Sequence, residues 1–163
     1  GTNTMKVCKT VLKASVKNIG DVSGRITQLQ KLRHPHVCHI TDFLEDQIHY
    51  FIIQDRCPGG DLENWMERID ESHWLKEETC AHYVGQALVA LNYCHAHSVF
   101  HRGLSPSNIL LTSKLPDARV RISDFGLAPV FDPDNSVAQR NAGPYTPLEF
   151  FAQSGQVVNG SAD

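Results

Sequence analysis

His101-Arg102-Gly103-Leu104-Ser105-Pro106-Ser107-Asn108-Ile109-Leu110-Leu111 is the stretch on which this chain of 163 residues turns, and Asp124-Phe125-Gly126 follows sixteen residues after the asparagine. Each is a short polar loop beside a β-branched or leucine-rich run. Residues 108–111 and 119–122 read as two short strands, joined by a polar turn that contains Pro116-Asp117. The strands flank the two loops, which carry a histidine, an arginine, an asparagine and an aspartate at fixed spacing. Gly103 lies among them and has no side chain; in a loop, glycine also satisfies backbone angles that other residues resist.

Composition sets the outer limits. The chain is long enough for one domain with a real core. It is 41% hydrophobic and 20% charged, with a net charge of −3 and its Lys and Arg residues scattered. That balance gives no electrostatic case for nucleic acid or an acidic membrane surface. No apolar run approaches the length that spans a bilayer, and the first residues, Gly1-Thr2-Asn3-Thr4-Met5-Lys6, lack the apolar core of a signal peptide. The five cysteines, Cys8, Cys38, Cys57, Cys80 and Cys94, are odd in number and form no C-x-x-C. They are expected to be free thiols in a reducing compartment, and the expected location is cytoplasmic.

Outward from the two loops, residues 77–97 carry the longest helical signal. Ala81, Val84, Leu88, Leu91 and His95 keep helical spacing, and Glu77-Glu78 suit the positive N-terminal end of a helix. Residues 62–69 read as a short amphipathic helix. Before them, Asp55-Arg56-Cys57-Pro58-Gly59-Gly60-Asp61 ends an apolar strand at 50–54 and makes a connector. After Gly20-Asp21, the residues Val22, Ile26, Leu29 and, less regularly, Leu32 fall on one helical face. Residues 5–13 and 37–43 read as strands. Taken alone, Lys9 is an exposed edge-strand lysine. His34, His36, Cys38 and His39 invite a zinc reading, but no second ligand pair stands at a familiar spacing, and packing roles are expected instead.

The pattern H-R-x-L-x-x-x-N followed by D-F-G resembles the catalytic and metal-binding loops of eukaryotic protein kinases of the Ser/Thr type. Residues 93–102 resemble the calcium- and calmodulin-dependent kinase group. Further residues join the resemblance: V-C-K-T around Lys9 is similar to the strand that carries the ATP-phosphate lysine, and 55–61 is similar to the hinge. The resemblance implies an α+β fold of two lobes, incomplete at both ends. Residues 1–54 would supply part of the N-lobe, an antiparallel sheet with a helix; 55–61 the hinge; and 62–163 part of a mainly helical C-lobe, ending where the family's central helix begins. It implies nucleotide contacts from Lys9, Asp55, Cys57 and Asp61, with Gln54 gating the back of the pocket. It also implies a Mg²⁺ site at Asn108 and Asp124, since Mg²⁺ takes few protein oxygens together with phosphates and water. Residues after Asp124 resemble an activation segment, with Pro147-Leu148-Glu149 near the family's A-P-E, Ser136 and Thr146 as phosphoacceptors, and Arg102 as the residue that pairs with such a phosphate.

Three departures bear on activity. Gly103 stands where the family has its catalytic aspartate, and a positioned general base contributes about a hundred- to ten-thousand-fold. Ser105 replaces the loop lysine that neutralises the transferred phosphate. Arg25 falls at the position of the helix glutamate that pairs with the strand lysine, where a cation would repel Lys9. No intact catalytic set is expected. The expected function is a catalytically impaired Ser/Thr pseudokinase that binds ATP with Mg²⁺ and acts through protein partners, without nucleic-acid or membrane partners. Two alternatives stay open: a weakly active ATP-dependent protein serine/threonine kinase, and a truncated fragment without function. Truncation would leave apolar surface on the 77–97 helix and a sheet edge uncovered.

Overall fold

The computed structural model describes residues 5–16, 19–68, 76–115, 117–125 and 127. The expectations placed on Pro116, Gly126, Ser136, Thr146, Pro147-Leu148-Glu149 and the end of the chain lie outside these residues. The described chain is α+β. Strand β1 (Lys6–Leu12) leads to helix α1 (Ile19–Leu29), then to β2 (Ile40–Glu45) and β3 (His49–Asp55). A two-residue strand β4 (Gly60–Asp61) runs into α2 (Leu62–Glu67); α3 (Glu77–Ala96), β5 (Ile109–Leu111) and β6 (Val120–Ile122) complete the order.

Two antiparallel sheets result, ordered β1-β3-β2 and β4-β5-β6. Strand β3, His-Tyr-Phe-Ile-Ile-Gln-Asp, is rich in aromatic and β-branched residues and takes the centre of the first sheet. Lys9 pairs across from Ile52, which is fully buried. The i, i+4, i+7 stripe of α1 is its core face: Val22, Ile26 and Leu29 are all buried, as is Leu32. They meet Ile40, Tyr50 and Ile52 from the first sheet, Ala87, Ala90, Leu91 and Cys94 from α3, and Ile122 and Phe125, in one continuous core. A second cluster of Tyr83, Leu111, Ala118 and Val120 is covered by Leu62 and Trp65.

Several boundaries and one face differ from the sequence reading. Helix α1 begins at Ile19 rather than after Asp21. The strand expected over 37–43 starts at Ile40, because the preceding residues pair elsewhere: Cys38 N–H donates to Ile122 O at 2.8 Å, and Ile122 N–H donates to His36 O at 2.9 Å. The helix expected over 77–97 is present as α3, but the residues that keep its helical spacing are mostly not its core side. Leu91 is buried, but Val84 and Leu88 are 57% and 59% exposed, and the buried side is Tyr83, Ala87, Ala90, Leu91 and Cys94. Apolar residues surround most of this helix, so spacing alone fits more than one stripe. The side facing the core is the one with small residues, which lets α3 lie close against β6.

The C-terminus of α3 explains how the chain turns towards the loop at 101. Ser98 takes φ 57°. Its N–H donates to His95 O at 2.9 Å, and Val99 N–H reaches back to Cys94 O at 2.9 Å. This is the Schellman arrangement, with serine in the left-handed position that glycine usually holds. Val99 packs in the same core as Cys94.

The histidines serve packing. His34 stacks on Tyr93 with ring centroids 4.8 Å apart, His36 Nδ1 lies 3.0 Å from Val120 O, and Arg33 donates to His39 Nδ1 at 3.0 Å. All five cysteines are free thiols. Among the described residues no helix is long and apolar enough to cross a membrane.

Candidate functional site

Strands β5 and β6 pair with Ile109 opposite Ile122. That register places Asn108, at the end of a 3-10 turn entering β5, beside Ser123, which leaves β6. Ser123 N–H donates to Asn108 O at 2.9 Å. The two loops are thus fixed to each other by backbone. His101 adds a second tie: its Nε2 lies 2.8 Å from Ser123 O, and its ring meets Phe125 edge-on at 4.9 Å between centroids. His101 is buried, as is Phe125. No positioning role was read for His101 in the sequence, although it opens the H-R-x-L-x-x-x-N pattern.

Two residues of these loops carry uncommon backbone angles. Arg102 has φ 64° and Asp124 has φ 61°. Non-glycine residues in this region are sparse and cluster where a fold holds a side chain in a required direction. Asp124 is aimed at the first sheet: Lys9 Nζ lies 2.9 Å from its Oδ1. A residue of β1 and one of the loop after β6, 115 positions apart, therefore meet as an ion pair. Both are partly exposed, Lys9 at 41% and Asp124 at 25% of the side chain. The edge-strand lysine therefore has a specific partner.

Asn108 and Asp124 both offer hard oxygens. Ser105 Oγ donates to Asn108 Oδ1 at 2.9 Å and lies 2.6 Å from Ser107 Oγ. Ser105 thus fills the expected lysine position with a hydroxyl turned onto the asparagine amide oxygen, an engagement that spacing could not reveal. A carbonyl oxygen has two lone pairs, so Asn108 can keep this bond and still offer a ligand atom. Gly103 is exposed and brings no group to the loop. Arg25 lines a small cleft of about 40 Å³ together with Gln28, Leu29, Phe100 and Arg102, beside the loop that begins at His101.

The sequence model of the protein kinase domain family matches residues 1–152. The chain belongs to the protein kinase domain family. It is 33% identical over 138 residues to the calcium/calmodulin-dependent protein kinase cmkA of Emericella nidulans, covering 84% of this chain and 33% of that protein. It is 35% identical over 99 residues to the calcium/calmodulin-dependent protein kinase type II alpha chain of Drosophila melanogaster, covering 61% and 18%. The crystal structure of Rad53 1-466 in complex with AMP-PNP superposes with a TM-score of 0.66 at 30% identity, over 75% of this chain and 31% of that one. The chain therefore spans about a third or less of the length of these relatives. Its Ser/Thr-kinase-like assignment and its kinase-type α+β fold agree with the reading of the two loops.

The remaining expected residues sit along the connector 55–61 or just before it. Asp55 closes β3, with its carboxylate 2.6 Å from Lys6 Nζ and 2.9 Å from Arg121 Nη1. Burial alone would raise this carboxyl, but the Lys6 hydrogen bond and the Lys6 and Arg121 charges hold it below the ordinary range. Asp61 caps α2: its Oδ1 accepts from Asn64 N–H at 2.8 Å and its Oδ2 from Asn64 Nδ2 at 2.7 Å. Cys57 is half-buried in the turn between them. Gln54 lines a narrow space of about 10 Å³ with Leu29, Ile40, Asp124 and Phe125, between α1 and the aspartate loop. Gly59 presses the connector onto β5, where a Cβ would lie 2.2 Å from Ser113 O and 2.6 Å from Leu111 O. Gly60 follows with φ 84°.

Proposed function

We propose that this kinase-family chain is a pseudokinase that binds ATP with Mg²⁺ and acts through protein partners. One observation carries the reading: the Lys9–Asp124 pair and the adjoining Asn108 are in place, while Gly103 leaves no carboxylate beside them. In this reading 1–54, the connector 55–61 and the residues from 62 onward divide as the kinase lobes and hinge do. Lys9 meets the nucleotide phosphates. The backbone of Asp55 and Cys57 meets the base, and Asp61 meets the ribose through lone pairs left over from its cap. Asp124 and Asn108 suit Mg²⁺ because both are oxygen donors and one is charged. When bound, the ion would neutralise phosphate charge.

Phosphoryl transfer needs more than this cradle. An attacking hydroxyl must be oriented and its proton accepted, and the transferred group's charge must be neutralised. Gly103 cannot do the first. Ser105, neutral and already bonded to Asn108, cannot do the second as a lysine does. The two losses fall on one transition state and act as a unit. A cytoplasmic location and partners that are proteins, not nucleic acid or membrane, complete the proposal.

The test compares wild type, Lys9→Met and Gly103→Asp in two measurements: equilibrium binding of a fluorescent ATP analogue with Mg²⁺, and transfer of labelled phosphate to the chain itself and to a generic basic substrate. Wild type and Gly103→Asp should bind, Lys9→Met should bind weakly, and wild-type transfer should stay at the Lys9→Met background. Wild-type transfer well above that background would establish the weakly active kinase instead.

A further inference from the structure

The loop 105–108 closes a set of hydrogen bonds around one side chain. Asn108 N–H donates to Ser105 O at 3.0 Å, and Ser123 N–H donates to Asn108 O at 2.9 Å, so the asparagine backbone is held from both sides. Its side-chain Oδ1 accepts from Ser105 Oγ at 2.9 Å. A serine hydroxyl has one proton to give. With the Ser105 proton on Asn108, the 2.6 Å contact between the Ser105 and Ser107 hydroxyls is donated by Ser107. The result is a chain from Ser107 through Ser105 to Asn108, in which each bond polarises the next. Ser107 at its head is exposed, and Ser105 and Asn108 are half-buried.

An asparagine amide without such a partner is poorly fixed. Its last torsion is broad and roughly two-fold, so its oxygen and NH₂ ends exchange places easily. For a cation the two ends are opposites: the oxygen is a ligand, and the NH₂ group offers only donors. Only the oxygen can accept the Ser105 proton, so the hydroxyl selects one orientation of the amide. The second lone pair of that oxygen stays open to a cation. Asp124 is a close neighbour, since Ser123 Oγ lies 3.4 Å from both Asn108 O and Asp124 Oδ2.

We propose, resting on the nucleotide cradle described above, that Ser105 is a positioning residue for the cation that accompanies the nucleotide: by donating to Oδ1 it holds the Asn108 amide with its oxygen available beside Asp124. Ser105 acts through Asn108 and not as a ligand. A position that brings no charge to a transferred phosphate thus serves the seating of the cation. Hydrogen-bond partners of metal ligands typically account for about 10–100-fold in metal affinity. Mg²⁺ takes much of its shell from phosphates and water, which places the effect of Ser105 at the lower end, about tenfold.

The test uses the full chain and a fluorescent ATP analogue, with Kd measured in EDTA and across a Mg²⁺ titration. The readout is the ratio of the two, which is the gain in affinity that the cation confers. Ser105→Ala should reduce that ratio about tenfold. Ser105→Thr keeps the hydroxyl and suits the extended backbone at φ −147° and ψ 166°, and should restore it. Because Ser105 acts through Asn108, adding Ser105→Ala to Asn108→Ala should lower the ratio no further. Far-UV circular dichroism and melts without ligand check that each variant is folded. A ratio in Ser105→Ala equal to or above that of wild type, no recovery in Ser105→Thr, or the same fall in the Asn108→Ala background would overturn this role for Ser105 alone. A wild type that binds the analogue no better with Mg²⁺ than in EDTA would overturn the cradle, and this role with it.

Discussion

Replacing Asp124 by Asn separates what this residue does for the fold from what it does for a ligand. Asparagine keeps the size, tolerates the backbone angle of φ 61°, and removes only the charge that meets Lys9 at 2.9 Å. Lys9 is 41% exposed, so solvent screens the pair, and its loss should lower the stability of the unliganded chain by roughly 0.2–1 kcal/mol. For a chain of this size that is at most about 2–4 °C in Tm. The ligand effect is larger. At a free Mg-ATP concentration about 100 times Kd, binding stabilises the wild type by about 2.7 kcal/mol, or roughly 5–10 °C. Asp124→Asn should lose most of that gain while its unliganded Tm stays close to wild type. Thermal melts followed by circular dichroism, with Mg-ATP, ATP plus EDTA, and no ligand, measure both. An equal Mg-ATP shift in the two proteins would refute a ligand role for Asp124. An unliganded loss of several kcal/mol would refute the treatment of the pair as screened.

Three further outcomes follow from local geometry. Gly59→Ala should lower stability by about 1–3 kcal/mol or more in urea denaturation, because the new Cβ meets backbone oxygens of Ser113 and Leu111 and the Gly59 N–H bond to Leu111 O at 2.9 Å must break. Ser98→Gly should raise stability by about 1 kcal/mol, or roughly 2–4 °C in Tm, since glycine takes the left-handed angle without penalty. The Asp55 carboxyl is depressed in the folded chain, so as acid is added the unfolded chain takes up this proton first. Its contribution is complete above about pH 4 and is lost as pH falls further; urea midpoints from pH 6 to pH 3 should fall less steeply in Asp55→Asn than in wild type.

The parts of this molecule that the sequence made legible are those where chemistry and spacing coincide. Val22, Ile26 and Leu29 could be placed on a core face because, apart from Ile19 at its start, the rest of α1 is small or polar, and only one stripe fits. Helix α3 offered no such contrast: Ala81, Val84, Leu88 and Leu91 keep the period, yet the core selected the face with Ala87, Ala90 and Cys94, for closeness to β6. Its end was equally hidden, because serine rather than glycine takes the left-handed turn at position 98. In the site, the residue types of Lys9, Asn108 and Asp124 were readable, but their contacts were not. The Lys9–Asp124 pair joins residues 115 positions apart, and the Ser105 bond to Asn108 depends on a hydroxyl rotamer.

These contacts alter how the substitutions relate to one another. Read against the family resemblance, Gly103, Ser105 and Arg25 are three losses. In the folded chain Ser105 has acquired a bond to the very oxygen that Asn108 offers, and Arg25 shares a cleft with Arg102 beside the same loop. Lys9 is held by Asp124. That pairing has a direct consequence for binding. In the proposed nucleotide complex, a lysine already seated on Asp124 must give up that partner, or share it, when phosphates and a cation enter. On that proposal ligand affinity and the Lys9–Asp124 pair compete for the same two side chains, and neutralising either residue should weaken binding far more than it weakens the fold.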